Sequence, residues 1–197
     1  MIISPRTRCI FVHIQKTGGV SVENALRLHD PAMGSNALDG RRHVVAREIR
    51  DIVGAAQWDA YFKFAFVRNP WDRLVSWYHM CVQGTTPNAF SRYVKDNAPT
   101  FRDFILTTTT GMGERTTRNQ LDYVTGEDGA VIVDFIGRYE TLATDLADVG
   151  ARLGLPLELP HLNRSAHAHY RDYYTDETRA VVAARFARDI ERFGYTF

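Results

Sequence analysis

Cysteine is nearly absent from this chain: two residues in 197, Cys9 and Cys81. That excludes a disulfide framework and a cysteine-based zinc site. The expected compartment is a reducing cytoplasm. Long apolar runs are missing too. No stretch approaches the ~20 residues that span a bilayer. The run from Cys9 to Ile14 stops at Gln15-Lys16, too short for a signal peptide. Nor is there an excess of one charge. Lys plus Arg is 24 against 23 Asp plus Glu, a formal net charge of +1. A generally basic nucleic-acid binder is disfavoured, while a local anion site is not. Lysine itself is scarce: Lys16, Lys63 and Lys95 are lysine and every other basic residue is arginine. Where such a chain keeps a lysine, a compact ammonium serves better than a guanidinium fork.

What is present reads as one soluble domain over residues 1–197. Hydrophobic residues are 45% and charged residues 24%, ordinary for a globular protein long enough to bury a core. Residues 8–14 form a nearly continuous apolar run, as in a parallel strand covered on both faces. Further strands are predicted over 61–67 and 130–137. Helices are predicted over about 20–28, 44–53, 70–82, 140–153 and 176–193, each with an apolar face at helical spacing or a proline or glycine at its end. Residues 29–43 and 156–174 read as loops, and 87–125 as one or two short helices with loops. The alternation argues an α/β fold, three layers with a mostly parallel central sheet.

Gln15-Lys16-Thr17-Gly18-Gly19-Val20-Ser21 lies between the first strand and a helix, where open α/β folds bind phosphate. The glycines allow close backbone approach, the helix-start amides point at an anion, and Lys16, Thr17 and Ser21 add donors. The order is not Walker A, because the lysine precedes the glycines. A glycine turn with a solvated lysine is the plainer alternative. A second constellation, Val67-Arg68-Asn69-Pro70-Trp71-Asp72-Arg73-Leu74-Val75-Ser76, puts an arginine suited to phosphate at a strand end and a serine on the next helix. The plainer account of Arg68 is a pairing with a carboxylate.

Together the two motifs resemble the sulfotransferases that use 3′-phosphoadenosine 5′-phosphosulfate (PAPS), in the carbohydrate-type branch with its Golgi polysaccharide and bacterial members. Asp134 to Glu140, His161 to Ser165 and the closing Phe193-Gly194-Tyr195-Thr196-Phe197 extend the resemblance. It implies the P-loop NTPase-like sulfotransferase fold and PAPS as co-substrate. It assigns Lys16, Thr17, Gly18, Gly19 and Ser21 to the 5′-phosphosulfate, and Arg68 and Ser76 to the 3′-phosphate. Asn163, Arg164 and Ser165 would cover the nucleotide. Val20 stands where threonine is usual, a change that leaves the backbone amide intact.

Sulfuryl transfer then proceeds in line, by positioning and electrostatics, with no metal required. Lys16 is the candidate for stabilising the leaving oxygen and donating a proton. His43 is the candidate general base, with an ordinary pKa that suits the task; His29, Asp39 and Glu48 compete. His13, inside the first strand, reads as a satisfied core histidine. Arg41 and Arg42 would attract an acidic acceptor or simply be solvated. His161, His167 and His169 match no standard metal spacing. The expected acceptor is a small molecule or glycan, with a carbohydrate hydroxyl first. Two alternatives stand: a P-loop nucleotide or small-molecule kinase, and a non-catalytic nucleotide-binding protein of the same fold.

Overall fold

The computed structural model of the chain describes residues 1–31, 41–84, 88–108, 118–159 and 168–197. It comprises two compact units. One is Met1–Arg68 with Gln120–Asn163, the other Asn69–Asn119 with Arg164–Phe197.

The first unit is built on a four-stranded sheet in the order β1-β2-β3-β4. β1 is Ile2–Ser4, β2 Cys9–Val12, β3 Phe62–Val67 and β4 Phe135–Arg138. β1 runs antiparallel to β2, and β2, β3 and β4 are parallel, with Phe11 opposite Phe64 and Phe64 opposite Phe135. The α/β class with a mostly parallel sheet is therefore as expected. Period-two alternation puts Phe11, Phe64 and Phe66 on one face. There α1 (Gly19–His29) brings Val22 and Leu26, and a later helix brings Leu142, Leu146 and Val149. The opposite face carries Ile10, Val12, Ala65 and Val67, all buried. Burial on both faces explains why β2 and β3 read as apolar runs rather than alternating ones. Each buried phenylalanine contributes about 1.5–3 kcal/mol relative to exposure.

Several boundaries differ from the sequence reading. α2 (Ala46–Val53) is followed directly by α3 (Ala55–Ala60), which periodicity missed because it is under two turns long. β1 has only three residues, too few to show a pattern. The strand expected over 130–137 forms only from residue 135. Upstream, Gly126 N donates to Ala130 O and Ile132 N to Val124 O, so Val131 bridges Thr125 instead of entering the sheet. Asp134 accepts the backbone N–H of Lys63 and its ammonium at 2.7 and 3.0 Å, setting the start of β4.

The second unit is helical. α4 (Pro70–Gln83), α5 (Ala89–Asn97) and α6 (Phe101–Thr108) come before Asn119. The chain then returns to the first unit for α7 (Leu121–Val124) and α8 (Leu142–Leu153). α9 (Asp176–Arg185) and α10 (Ala187–Phe193) complete the second unit. Trp71, Leu74, Trp77, Phe101, Phe104, Val182 and Phe186 form its core, so the tryptophans and the Phe101–Phe104 pair are packing residues. The single helix expected over 176–193 breaks at Phe186, whose φ of −109° and ψ of 26° leave helical geometry. The apolar stripe of Val182, Phe186 and Ile190 runs across the break, so spacing alone does not reveal it.

Candidate active site

Three adjacent parallel strands deliver their C-terminal ends to one place. The loop Ile14–Gly18 follows β2, Arg68 follows β3 and Tyr139 follows β4. This is where open α/β sheets place ligands.

The loop after β2 is tightly wound. Thr17, fully buried, donates its hydroxyl to Ile14 O at 3.0 Å. Lys16 has φ 66° and Gly18 φ 82°, both left-handed. A left-handed lysine stores backbone strain, a state that persists only where its surroundings enforce it. α1 then begins at Gly19 with Ser21 N and Val22 N both donating to Gly18 O. No acidic residue occupies its first turn and no side chain caps it. The first amides of such a helix, with the positive end of its dipole, favour an anion. Neither glycine can be replaced freely. A Cβ on Gly18 would lie 2.6 Å from Leu142 Cδ2, and one on Gly19 2.1 Å from the His13 ring.

Arg68 is bound to that loop. Its Nη1 donates to Lys16 O at 3.2 Å, and its guanidinium lies 3.8 Å from the centre of the Tyr139 ring. Gln120 holds the Arg68 backbone from both sides. Its Oε1 accepts Arg68 N–H at 2.9 Å and its Nε2 donates to Arg68 O at 2.8 Å. Tyr123 donates its hydroxyl to Gln15 Oε1 at 2.7 Å. A carbonyl of the loop is thus one acceptor of the Arg68 guanidinium.

Beneath the loop lies a polar cluster. His13 stacks on Phe11 and its Nδ1–H donates to Glu23 Oε1 at 2.7 Å. Arg42 Nη2 donates to Glu23 Oε2 at 2.5 Å. His43 meets His13 edge-on with ring centres 4.6 Å apart, and its Nδ1 lies 2.9 Å from His13 O. A carbonyl only accepts, so His43 carries its proton on Nδ1 and presents a bare Nε2. Burial, followed by the neighbouring His13, lowers the His43 pKa to about 3. Burial also lowers that of His13. Burial opposes ionisation of Glu23, but hydrogen bonds from His13 and Arg42 outweigh it and bring its carboxyl down to about 2. The cluster is thus two neutral imidazoles around one carboxylate.

The structure therefore gathers Lys16, Thr17, Gly18, Gly19, Ser21 and Arg68 around one loop, with His43 against its root. Ser76 is buried on α4, in the second unit. Asn163, Arg164 and Ser165, like Asp39, His161 and His167, lie outside the described residues. Glu48 is exposed and pairs with Arg41 at 3.4 Å, and His29 ends α1. Among the described residues no three His, Cys, Asp or Glu side chains are grouped to hold a metal ion. No described helix is long and apolar enough to cross a membrane. Sequence reasoning missed Gln120, Tyr123, Tyr139 and Glu23. Only Glu23 carried a signal, a carboxylate beside Val22, Ala25 and Leu26 on the buried side of α1.

The profile of the sulfotransferase family matches residues 1–196. The chain belongs to the sulfotransferase family. A curated relative from Archaeoglobus fulgidus, described only as an uncharacterized protein, is 34% identical over 128 residues, 62% of this chain and 93% of its own length. Among solved structures, the mouse sulfotransferase SULT7A1 complexed with PAP superposes with a TM-score of 0.55 at 14% identity, covering 94% of this chain and 85% of its own. A sulfotransferase from Alicyclobacillus acidocaldarius gives a TM-score of 0.44 at 16% identity, with 98% of each chain covered. The family and the α/β fold are those the two sequence motifs pointed to.

Proposed function

We propose that this sulfotransferase moves a sulfuryl group from PAPS to an acceptor hydroxyl, with a carbohydrate as the acceptor class. The observation that carries the reading is the contact between Arg68 Nη1 and Lys16 O at 3.2 Å. It joins the ends of two neighbouring strands and brings the Arg68 guanidinium to the backbone of Lys16, which supports one shared site for an anionic ligand. The uncapped start of α1 fits a phosphosulfate, and the PAP bound in the mouse sulfotransferase structure is the desulfated form of this donor.

In this reading the Lys16–Ser21 loop grips the 5′-phosphosulfate through backbone amides and the Ser21 hydroxyl; Thr17, expected as a further side-chain donor, commits its buried hydroxyl to Ile14 O and serves the loop's shape instead. Arg68 and Ser76 hold the 3′-phosphate, and Asn163, Arg164 and Ser165 cover the nucleotide. The acceptor oxygen bonds to sulfur as the bond from sulfur to the 5′-phosphate oxygen breaks. His43 Nε2 takes the acceptor proton, and its bare lone pair is the form a base requires. Lys16 neutralises the charge growing on the leaving phosphate, where a preorganised cation is worth most. PAP and a sulfate ester leave. Burial lowers the His43 pKa to about 3, well below the ordinary value on which the sequence expectation rested, so the ring is unprotonated at neutral pH but a weaker base than an ordinary imidazole.

Calorimetry with PAP and with ATP tests the donor site. PAP is expected to bind and ATP not, with R68A weakening PAP by about ten- to a hundredfold. Equal affinity for ATP, unaffected by R68A, rejects the reading in favour of a kinase-like site. An acceptor screen with PAPS, read by a mass gain of one sulfuryl group, tests the acceptor class.

A further inference from the structure

The buried carboxylate of Glu23 stands apart from the residues that the donor requires. It lies in the second turn of α1 with its side chain 1% exposed, and a carboxylate is removed from water at this depth only with strong partners. Its partners come from several parts of the chain. Oε1 takes the His13 ring, Oε2 takes the Arg42 guanidinium, the Arg27 guanidinium stands at 3.7 Å and the Met1 amino group at 3.4 Å. Two of these contacts bear on His43. Arg42 precedes it in the chain, and His13 supplies the carbonyl that its Nδ1–H donates to. One carboxylate thus fixes both the segment that carries His43 and the acceptor that sets its tautomer.

We infer that Glu23 is a positioning residue for sulfuryl transfer, acting through His13 and Arg42 to hold the His43 imidazole with Nε2 bare and aimed at the acceptor. The inference rests on His43 as the base. Glutamine at position 23 keeps one acceptor but turns an amide N–H toward the other donor, so one of the two arms is lost and the charge with it. The imidazole is then released to the ordinary solvent balance of tautomers. This role differs from pinning α1 to β2, which would hold the fold together without regard to the His43 ring.

The test reads the ring directly. Long-range proton–nitrogen NMR correlations of the histidine rings, with His43 assigned by its loss in H43Q, are expected to show His43 protonated on Nδ1 in the wild type. In E23Q the two nitrogens are expected to average or to shift toward Nε2–H. Release of sulfate from PAPS with water as acceptor should fall by about ten- to a hundredfold in E23Q, as for a displaced catalytic group. PAP affinity by calorimetry should stay within about threefold of wild type, because the loop amides and Arg68 are untouched. An unchanged His43 ring in folded E23Q overturns the inference, as does a rate that falls only in step with PAP affinity. If E23Q does not fold, R42A removes the outer arm, and an unaltered ring there overturns it equally. H43Q that keeps wild-type sulfate release rejects His43 as the base while leaving the ring measurement to stand by itself, so the two failures are distinct.

Discussion

The helix after β2 starts on glycine, and the helix after β3 starts on asparagine and proline. At the first junction Gly18 offers no side chain to the α1 amides. At the second, Asn69 Oδ1 accepts Trp71 N–H at 3.1 Å, and Pro70 at the first helical position has no N–H to satisfy. The first helix start is left open and the second is closed by its own residues. The difference separates two ways of holding an anion. In the proposed reading the receptor after β2 is the backbone itself, and the local conformation there is special: left-handed Lys16 and Gly18, with Gly19 pressed on His13. In the same reading the receptor after β3 is one side chain, Arg68, and the helix behind it follows ordinary capping rules.

That contrast can be broken or sharpened by substitution, taking the largest effect first. Lys16→Ala is expected to lower the sulfuryl-transfer rate by at least about a thousandfold, as when a preorganised charge at the leaving group is lost. PAP affinity should fall much less, about tenfold. Rate and calorimetry on the same preparation check this. Comparable losses in both would make Lys16 a binding residue only. Gly19→Ala should destabilise the fold by about 2–4 kcal/mol, since the new methyl meets the His13 ring at 2.1 Å with buried Glu23 behind it. Urea denaturation measures it.

Acid should weaken the polar cluster next. His43 titrates near 6.5 in the unfolded chain and near 3 when folded, so between those values the unfolded chain binds the proton more tightly. Stability therefore rises with pH across that window and is lost on acidification, by about 1–2 kcal/mol at pH 5. His13 acts in the same direction. Glu23 adds a further loss as pH falls from 4.5 toward 2, where its folded carboxylate takes up a proton. Urea midpoints from pH 7 to 5 should fall less steeply in H43Q than in wild type. The smallest effect on the donor site belongs to the closed junction. Asn69→Ala should cost about 2 kcal/mol of stability, from the lost cap and from the lost bond of its Nδ2 to Thr196 O, with PAP affinity within about twofold of wild type. A large loss of PAP affinity there would show that the second junction also binds through its helix start.

The motif residues were legible because their chemistry is local. A lysine and two glycines between an apolar strand and a helix constrain one short stretch, and Asn69-Pro70 announces a helix start by itself. β2, β3, α4 and α8 were readable for the same reason, each having several residues of one period. α3 and β1 were too short to show a period, and the break at Phe186 left the stripe intact. Gln120, Tyr123 and Tyr139 were invisible because their partners are distant in sequence: Gln120 meets Arg68 across 52 positions and Tyr123 meets Gln15 across 108. His13 read as a core histidine and is one, but its bond to Glu23 gives that core position a link to the site.

The amino-acid order alone determined the family, the parallel strand–helix alternation and the glycine loop between β2 and α1, since each depends on contiguous residues and backbone preference. Tertiary structure alone decided that Arg68 grips the carbonyl of Lys16, that Tyr139 lies against that guanidinium, and that one buried carboxylate faces His13 and Arg42 together. Those contacts follow from the register of three parallel strands, which the hydrophobic effect fixes over the whole sheet and no single segment encodes.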